Sequence, residues 1–162
     1  MAITKRKVNY NLDLQKELKG LNKSEKAAAK RKVAEFILAE IENSTSAGVS
    51  PVTGNNFAAY KNKKYAKLKK KLTGSGVPDL HKKDDLIESI HARFKEDSID
   101  FKVTDPLQKK KLFNHNTGDT VRKRMSLPND SLKDGKEASF SKPIRDGVRD
   151  ILRGIHADKS KE

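Results

Sequence analysis

The sequence predicts a small α+β domain, an antiparallel sheet made of a hairpin plus a third strand, packed with N-terminal and C-terminal amphipathic helices. Three stretches carry that expectation. Residues 24–43 set Ala27, Val33, Ala34, Ile37, Leu38 and Ile41 on one wide helical stripe, with Phe36 at its edge. Residues 90–103 alternate instead. Ile90, Ala92 and Phe94, then Ile99, Phe101 and Val103, take every second position around the polar turn Lys95-Glu96-Asp97-Ser98. The helical period returns with Phe140, Ile144, Val148, Ile151, Leu152 and Ile155, and Pro143 fits the first turn of that last helix.

In chain order, residues 1–10 look like a basic arm. Leu14 and Leu18, four apart, suggest a short helix from Leu12 to Lys19 that Gly20 would end. Ser24 is a plausible N-cap for the long helix, and residues 43–48 break it. Gly48 to Asn56, with Pro51 and Gly54, is a loop. Asn55 or Asn56 can cap a second helix that puts Phe57, Lys61, Tyr65, Leu68 and Leu72 on one face with Tyr60 alongside, and spreads Lys63, Lys64, Lys67, Lys70 and Lys71 over the rest. Residues 73–76 end it. Asp84 to Ile87 open as a turn, although Leu86, Ile87 and Ile90 also suit a helix over 84–94. Pro106 fits the start of a short helix, Leu107 to Asn114, and Val121, Lys123, Met125 and Leu127 have the alternation of a third strand. Residues 129–138 form a polar loop. The resulting organisation is a basic arm with a short helix (1–23), one α+β domain (24–156) and a charged tail (157–162).

Charge is the strongest compositional signal. The net charge is +14, with 36 basic and 22 acidic residues among 162. Residues 51–78 hold seven basic residues and no acidic one, net +7, and residues 106–128 hold six and one, net +5, so two short blocks supply 12 of the 14 charges. Blocks of this kind attract phosphate or an acidic protein face; the plain alternative is a solvated lysine face. The candidate contacts are Lys69, Lys70 and Lys71, Lys109, Lys110 and Lys111, and Arg122, Lys123 and Arg124. These residues suit phosphate contact without sequence readout. Tyr60 and Tyr65 suit base stacking less well than packing, because they share the apolar stripe of their helix.

Catalytic and metal chemistry find little support. There is no cysteine, which excludes disulfides, thiolate metal sites and cysteine nucleophiles. His81, His91, His115 and His156 have no helix-spaced partner of the kind a zinc site needs. His115, between Asn114 and Asn116, superficially looks like part of a nuclease motif, but only Asp119 stands near it as an acid. His115 therefore reads as a turn or interface residue, and Gly118 as a turn glycine. Asp84-Asp85 and Glu96-Asp97 read as solvated acids beside turns, and Gly147 as a close-packing position. Ser75 between two glycines completes no phosphate loop. No apolar run approaches the roughly 20 residues of a membrane helix, and no cofactor is expected.

Several short motifs stand in a telling order. Ser50-Pro51-Val52-Thr53-Gly54 is followed by Phe57 and a Tyr-x-x-Leu-Lys helix. Pro78-Asp79-Leu80 precedes Leu86-Ile87-Glu88-Ser89-Ile90, similar to an "L-x-x-S-I" entry to a sheet. Leu112 to Gly118 is similar to "A-x-x-H-x-x-G", Met125-Ser126-Leu127-Pro128 to a strand ending in "I/L-P", and Phe140 leads into a terminal amphipathic helix. In this order the motifs, over residues 51–155 or about two-thirds of the chain, resemble the phage virion morphogenesis family, the tail-completion proteins of Mu-like and related tailed phages. Head-to-tail joining and tail-terminator proteins are similar in outline. One departure comes after Pro128. The family usually has an arginine and an aromatic there, whereas Asn129 and Asp130 occupy those positions in this chain and Phe140 comes after an inserted polar loop. The resemblance implies a structural virion protein with no catalytic residues, assembled in the host cytoplasm as a ring of copies, hexameric by preference, around the DNA channel in the neck or tail. The partners it implies are head-side connector proteins, tail-tube or sheath proteins and genomic DNA in the lumen, with no membrane.

Overall fold

The computed structural model describes residues 9–57, 59–60, 62–73, 86–117, 124–128 and 139–161. The fold is α+β, and the described residues form a three-stranded antiparallel sheet in the order β1-β3-β2 and four helices. The hairpin lies where the alternation puts it. Strand β2 (Ile90–Phe94) pairs with β3 (Ser98–Val103), and Lys95 N donates to Ser98 O at 2.9 Å across the turn. The helical alternative for residues 84–94 fails from Leu86 on. Leu86 to Ser89 are a turn fastened by Ile90 N to Ile87 O at 3.1 Å and Ser89 Oγ to Leu86 O at 2.6 Å.

The third strand comes from the opposite end of the chain to the one expected. Tyr10–Asp13 is β1, antiparallel to β3 with Tyr10 opposite Phe101 and Leu12 opposite Ile99. Residues 124–128 form no strand, and Val121 and Lys123 lie outside the described residues. The short helix over Leu12–Lys19 is likewise replaced. Leu12 belongs to β1, and residues 15–20 form a turn in which Leu18 N donates to Leu14 O at 2.9 Å. Leu14, Leu18 and Leu21 are buried in the common core, so residues 10–21 are part of the domain and not an arm. Gly20, at φ +88°, supplies the left-handed residue that turns the chain toward the next helix.

Helix α1 (Lys23–Ser46) is capped by Asn22, two residues before the expected Ser24. Asn22 Oδ1 accepts from Glu25 N at 2.9 Å, and the Glu25 carboxylate accepts from Asn22 N at 3.2 Å, a complete capping box. Its buried face, Ala29, Val33, Ala34, Ile37 and Ile41, covers the sheet and α4. Lys30 is buried with it, and its Nζ donates to the carbonyls of Lys95 and Glu96, tying α1 to the hairpin turn.

Helix α2 (Lys63–Thr73) starts later than expected, because Asn62 caps it by accepting from the amides of Lys64 and Tyr65. Phe57 is therefore a buried loop residue. Helix α3 (Pro106–Thr117) starts at the expected proline, with Asp105 Oδ1 capping Gln108 N at 2.9 Å, but runs on through Asn114, His115 and Asn116. Helix α4 (Lys142–Ser160) absorbs most of the expected tail. Lys159 Nζ donates to Gly20 O at 2.5 Å and pairs with Glu25 at 3.0 Å. Phe140, just before α4, is an aromatic pin between elements. Tyr10 and Phe101 meet its ring edge-on at 5.4 and 6.1 Å. Where α4 crosses α1, Gly147 lies against the Phe36 ring, the close-packing role expected of it.

Candidate functional site: a joint and a basic surface

Four segments, one of them far from the other three in sequence, meet in one hydrogen-bonded joint. Ser50 begins it. Its Oγ donates to the Met125 carbonyl at 2.8 Å and accepts from the amides of Val52 and Thr53, each at 3.2 Å. The loop is closed by Gly54, whose φ of +75° suits glycine and whose amide donates to Ser50 O at 2.9 Å. Pro51 O then accepts from Ser141 N at 2.9 Å, which fixes the start of α4. On the other side, the end of α3 holds residues 124–128. Asn116 Nδ2 donates to Leu127 O at 3.2 Å and its Oδ1 accepts from Ser126 N at 3.1 Å, while Arg124 N donates to His115 O at 2.7 Å. Asn116 thus pairs with a stretch of backbone as a neighbouring strand would, which explains how residues 124–128 are held without a ladder.

Next to this joint is a cluster of cations around an aromatic ring. The Arg124 guanidinium sits 5.1 Å from the Tyr60 ring centre, and Lys69 Nζ donates to Tyr60 Oη at 3.0 Å while lying 5.4 Å from the same ring centre. Tyr65 meets Tyr60 edge-on at 5.0 Å. His115 is the neutral member. Burial, and then the positive charges of Arg124 and Lys111, hold its imidazole down at about 4. Its Nδ1 is buried with no hydrogen-bond partner.

No family model, curated protein or solved structure matches the chain.

The structure divides the expected contact residues. Lys69 and Arg124 are 2% and 7% exposed, so they are corrected from surface contacts to internal ones that brace Tyr60. Lys70, Lys71, Lys109 and Lys110 are exposed, and Lys111 is half-buried near His115. His115 is half-buried in the last turn of α3, not in a loop. Arg122, Lys123 and Gly118 lie outside the described residues, as do His81, Asp84, Asp85, Ser75 and Pro78 to Leu80. Asp97 pairs with Lys26 at 3.1 Å, and His156 Nε2 lies 2.7 Å from Glu17 O, which gives both a structural role. Among the described residues no group of three or more His, Asp or Glu could hold a metal ion, and no helix is long and apolar enough to cross a membrane.

Sequence reasoning missed Ser50 and Asn116, the two side chains that make the joint. A serine followed by proline and, four residues on, by glycine is a usable turn signal for Ser50. Asn116 has no local signal, because its partner backbone lies beyond a connecting segment.

Two further surfaces bear on assembly. Among the described residues, β1 and β2 each pair only with β3, so the sheet has two open edges. Beside β1 an open groove of about 560 Å³ runs along α4, with an apolar floor that includes Leu12, Ile144, Val148 and Leu152.

Proposed function

We propose that this chain is a structural virion protein of a tailed bacteriophage, acting at the head–tail junction in a neck, tail-completion or tail-terminator role and assembling as a ring of copies around the DNA channel. The observation that carries the reading is the joint itself. Among the motifs that resemble the tail-completion family, Leu86 to Ile90 leads into β2 and Pro78 to Leu80 lie outside the described residues, while four others are Ser50 to Gly54, the Asn-His-Asn segment at the end of α3, Met125 to Pro128 and Phe140 with its helix. These four come together as one bonded unit at the start of α4. Motifs scattered by chance would have no reason to converge; motifs that define one fold's joints would. The open edges of β1 and β2 support the same reading, since they offer backbone groups that neighbouring copies can pair or cover. The partners are then copies of the chain, a head-side connector protein and a tail-tube or sheath protein.

The test is reconstitution. The purified chain, concentrated and viewed by negative-stain electron microscopy, should form closed rings and attach to isolated heads or tails. Particles that stay monomeric at every concentration and attach to neither would refute the reading.

A further inference from the structure

We infer that α2 is a phosphate-backbone contact for duplex DNA, made by Lys63, Lys64, Lys67, Lys70 and Lys71. At 3.6 residues per turn, these five positions fall within an arc of about 120°, and Lys69 lies about 160° from its centre. Burial agrees: Lys69 is 2% exposed and turned inward onto Tyr60, while all five of the others are exposed. The inward anchor fixes the rotation of the helix, so the lysine stripe faces away from the body of the protein.

Three features make the stripe more than a solubilising face. None of the five lysines takes part in an ion pair among the described residues, whereas Lys26, Lys95, Lys142 and Lys159 elsewhere do. No acidic residue occurs anywhere in residues 51–78, so the segment carries no counter-charge of its own. And α2 packs on no other helix or strand among the described residues; its inner side rests on Tyr60. From Lys63 to Lys71 the stripe is about 12 Å long, a length over which duplex DNA presents about seven phosphates at one charge per ~1.7 Å.

An anionic membrane is the poorer fit. Leu68 and Leu72 are exposed at 51% and 68%, but they are the only large apolar side chains exposed on α2. An interfacial helix needs a broad apolar face to bury among lipids. Lysine without exposed aromatics suits backbone contact and gives no base readout. The inference extends the structural reading by assigning the surface that meets the genome, yet it is tested on the unassembled chain and so can fail separately.

The experiment measures binding of the full-length chain to a fluorescein-labelled random-sequence 30-base-pair duplex by anisotropy, from 0.05 to 0.3 M salt. A variant with all five stripe lysines changed to glutamine is compared with a control that has the same charge change at Lys16, Lys19, Lys23, Lys32 and Lys161. The stripe variant should lower affinity roughly 10²- to 10⁴-fold at 0.1 M salt and make the log–log salt slope shallower by about 3–4. The control should keep most of both. Absent binding, equal loss in the two variants, or equally tight binding to phosphatidylglycerol vesicles or polyglutamate would overturn the inference. Ring formation by the stripe variant, scored by electron microscopy, reports on the structural proposal independently.

Discussion

Two glycines in α4 should respond differently to the same substitution. Gly154 is exposed, and a Cβ added there would meet nothing within 4 Å. Gly154→Ala should therefore show only the gain in helix propensity, about 1 kcal/mol, which raises Tm by about 2–4 °C in a domain of this size. At Gly147 the same gain is opposed. An added Cβ would lie 2.3 Å from Phe36 Cζ, 2.7 Å from Cε1 and 3.2 Å from Cε2. Carbon atoms rest at about 3.5–4.0 Å, so the ring must move by more than an ångström, and α1 must give where it packs on α4. Overpacking of this kind costs about 1–3 kcal/mol. Subtracting the propensity gain leaves Gly147→Ala near neutral to about 2 kcal/mol destabilising. Urea unfolding followed by circular dichroism measures both variants. A double-mutant cycle isolates the cause. In a Phe36→Ala background the obstruction is gone, so Gly147→Ala should become stabilising by about 1 kcal/mol. If Gly147→Ala matches Gly154→Ala in the parent protein, or keeps its cost without the Phe36 ring, the account of this helix crossing is wrong.

His115 should make stability fall on the acid side of neutrality. Its imidazole stays neutral in the fold down to about 4 and takes up a proton near 6.5 when unfolded, so the unfolded state binds the extra proton in that window. Stability from this group is complete above the window and is lost as pH falls from 6.5 toward 4. After allowance for partial exposure, the loss between pH 7 and pH 5 is about 1–2 kcal/mol. His115→Gln should flatten that part of the urea-midpoint profile, and an unchanged profile would rule the histidine out as its source. Asn116→Ala removes both bonds to residues 126 and 127 and should cost about 2–3 kcal/mol. It should also speed hydrogen exchange at the Ser126 amide, whereas Asn116→Asp, which keeps the acceptor, should protect that amide better. Asn22→Ala breaks the capping box of α1 and should cost about 1 kcal/mol in thermal unfolding.

The features legible in the sequence were those that depend on near neighbours. The hairpin is local: its partner strand begins four residues after Phe94, and both strands show their period. Strand β1 is the opposite case. It is four residues long, and its partner β3 lies most of a domain away, so Tyr10 and Leu12 look no more like a strand than like the start of a helix. Residues 121–127 alternate well enough, but alternation describes a side-chain pattern and not the edge on which a strand must dock. Asn116 satisfies the backbone of residues 126 and 127 with its side-chain amide instead.

The basic blocks show how the same limit affects a functional reading. Three consecutive lysines look like one patch in a sequence, yet on a helix each step turns by about 100°, so a run of three spans about 200° and cannot present one face. Lys69-Lys70-Lys71 is divided by this rule: Lys69 turns in to Tyr60, and Lys70 and Lys71 turn out. In Lys109-Lys110-Lys111 the first two are exposed, and the third is half-buried near His115. The residues that do share a face with Lys70 and Lys71 are Lys63, Lys64 and Lys67, which no run connects. The helical period groups them, and the contacts of Lys69 and Tyr65 with Tyr60 help to turn that face outward. Tyr60→Ala should therefore loosen the aim of the stripe, which stays together on its helix, without removing a single charge. A salt slope for duplex binding that became shallower in this variant, with net charge unchanged, would separate an ordered array of cations from a merely basic surface.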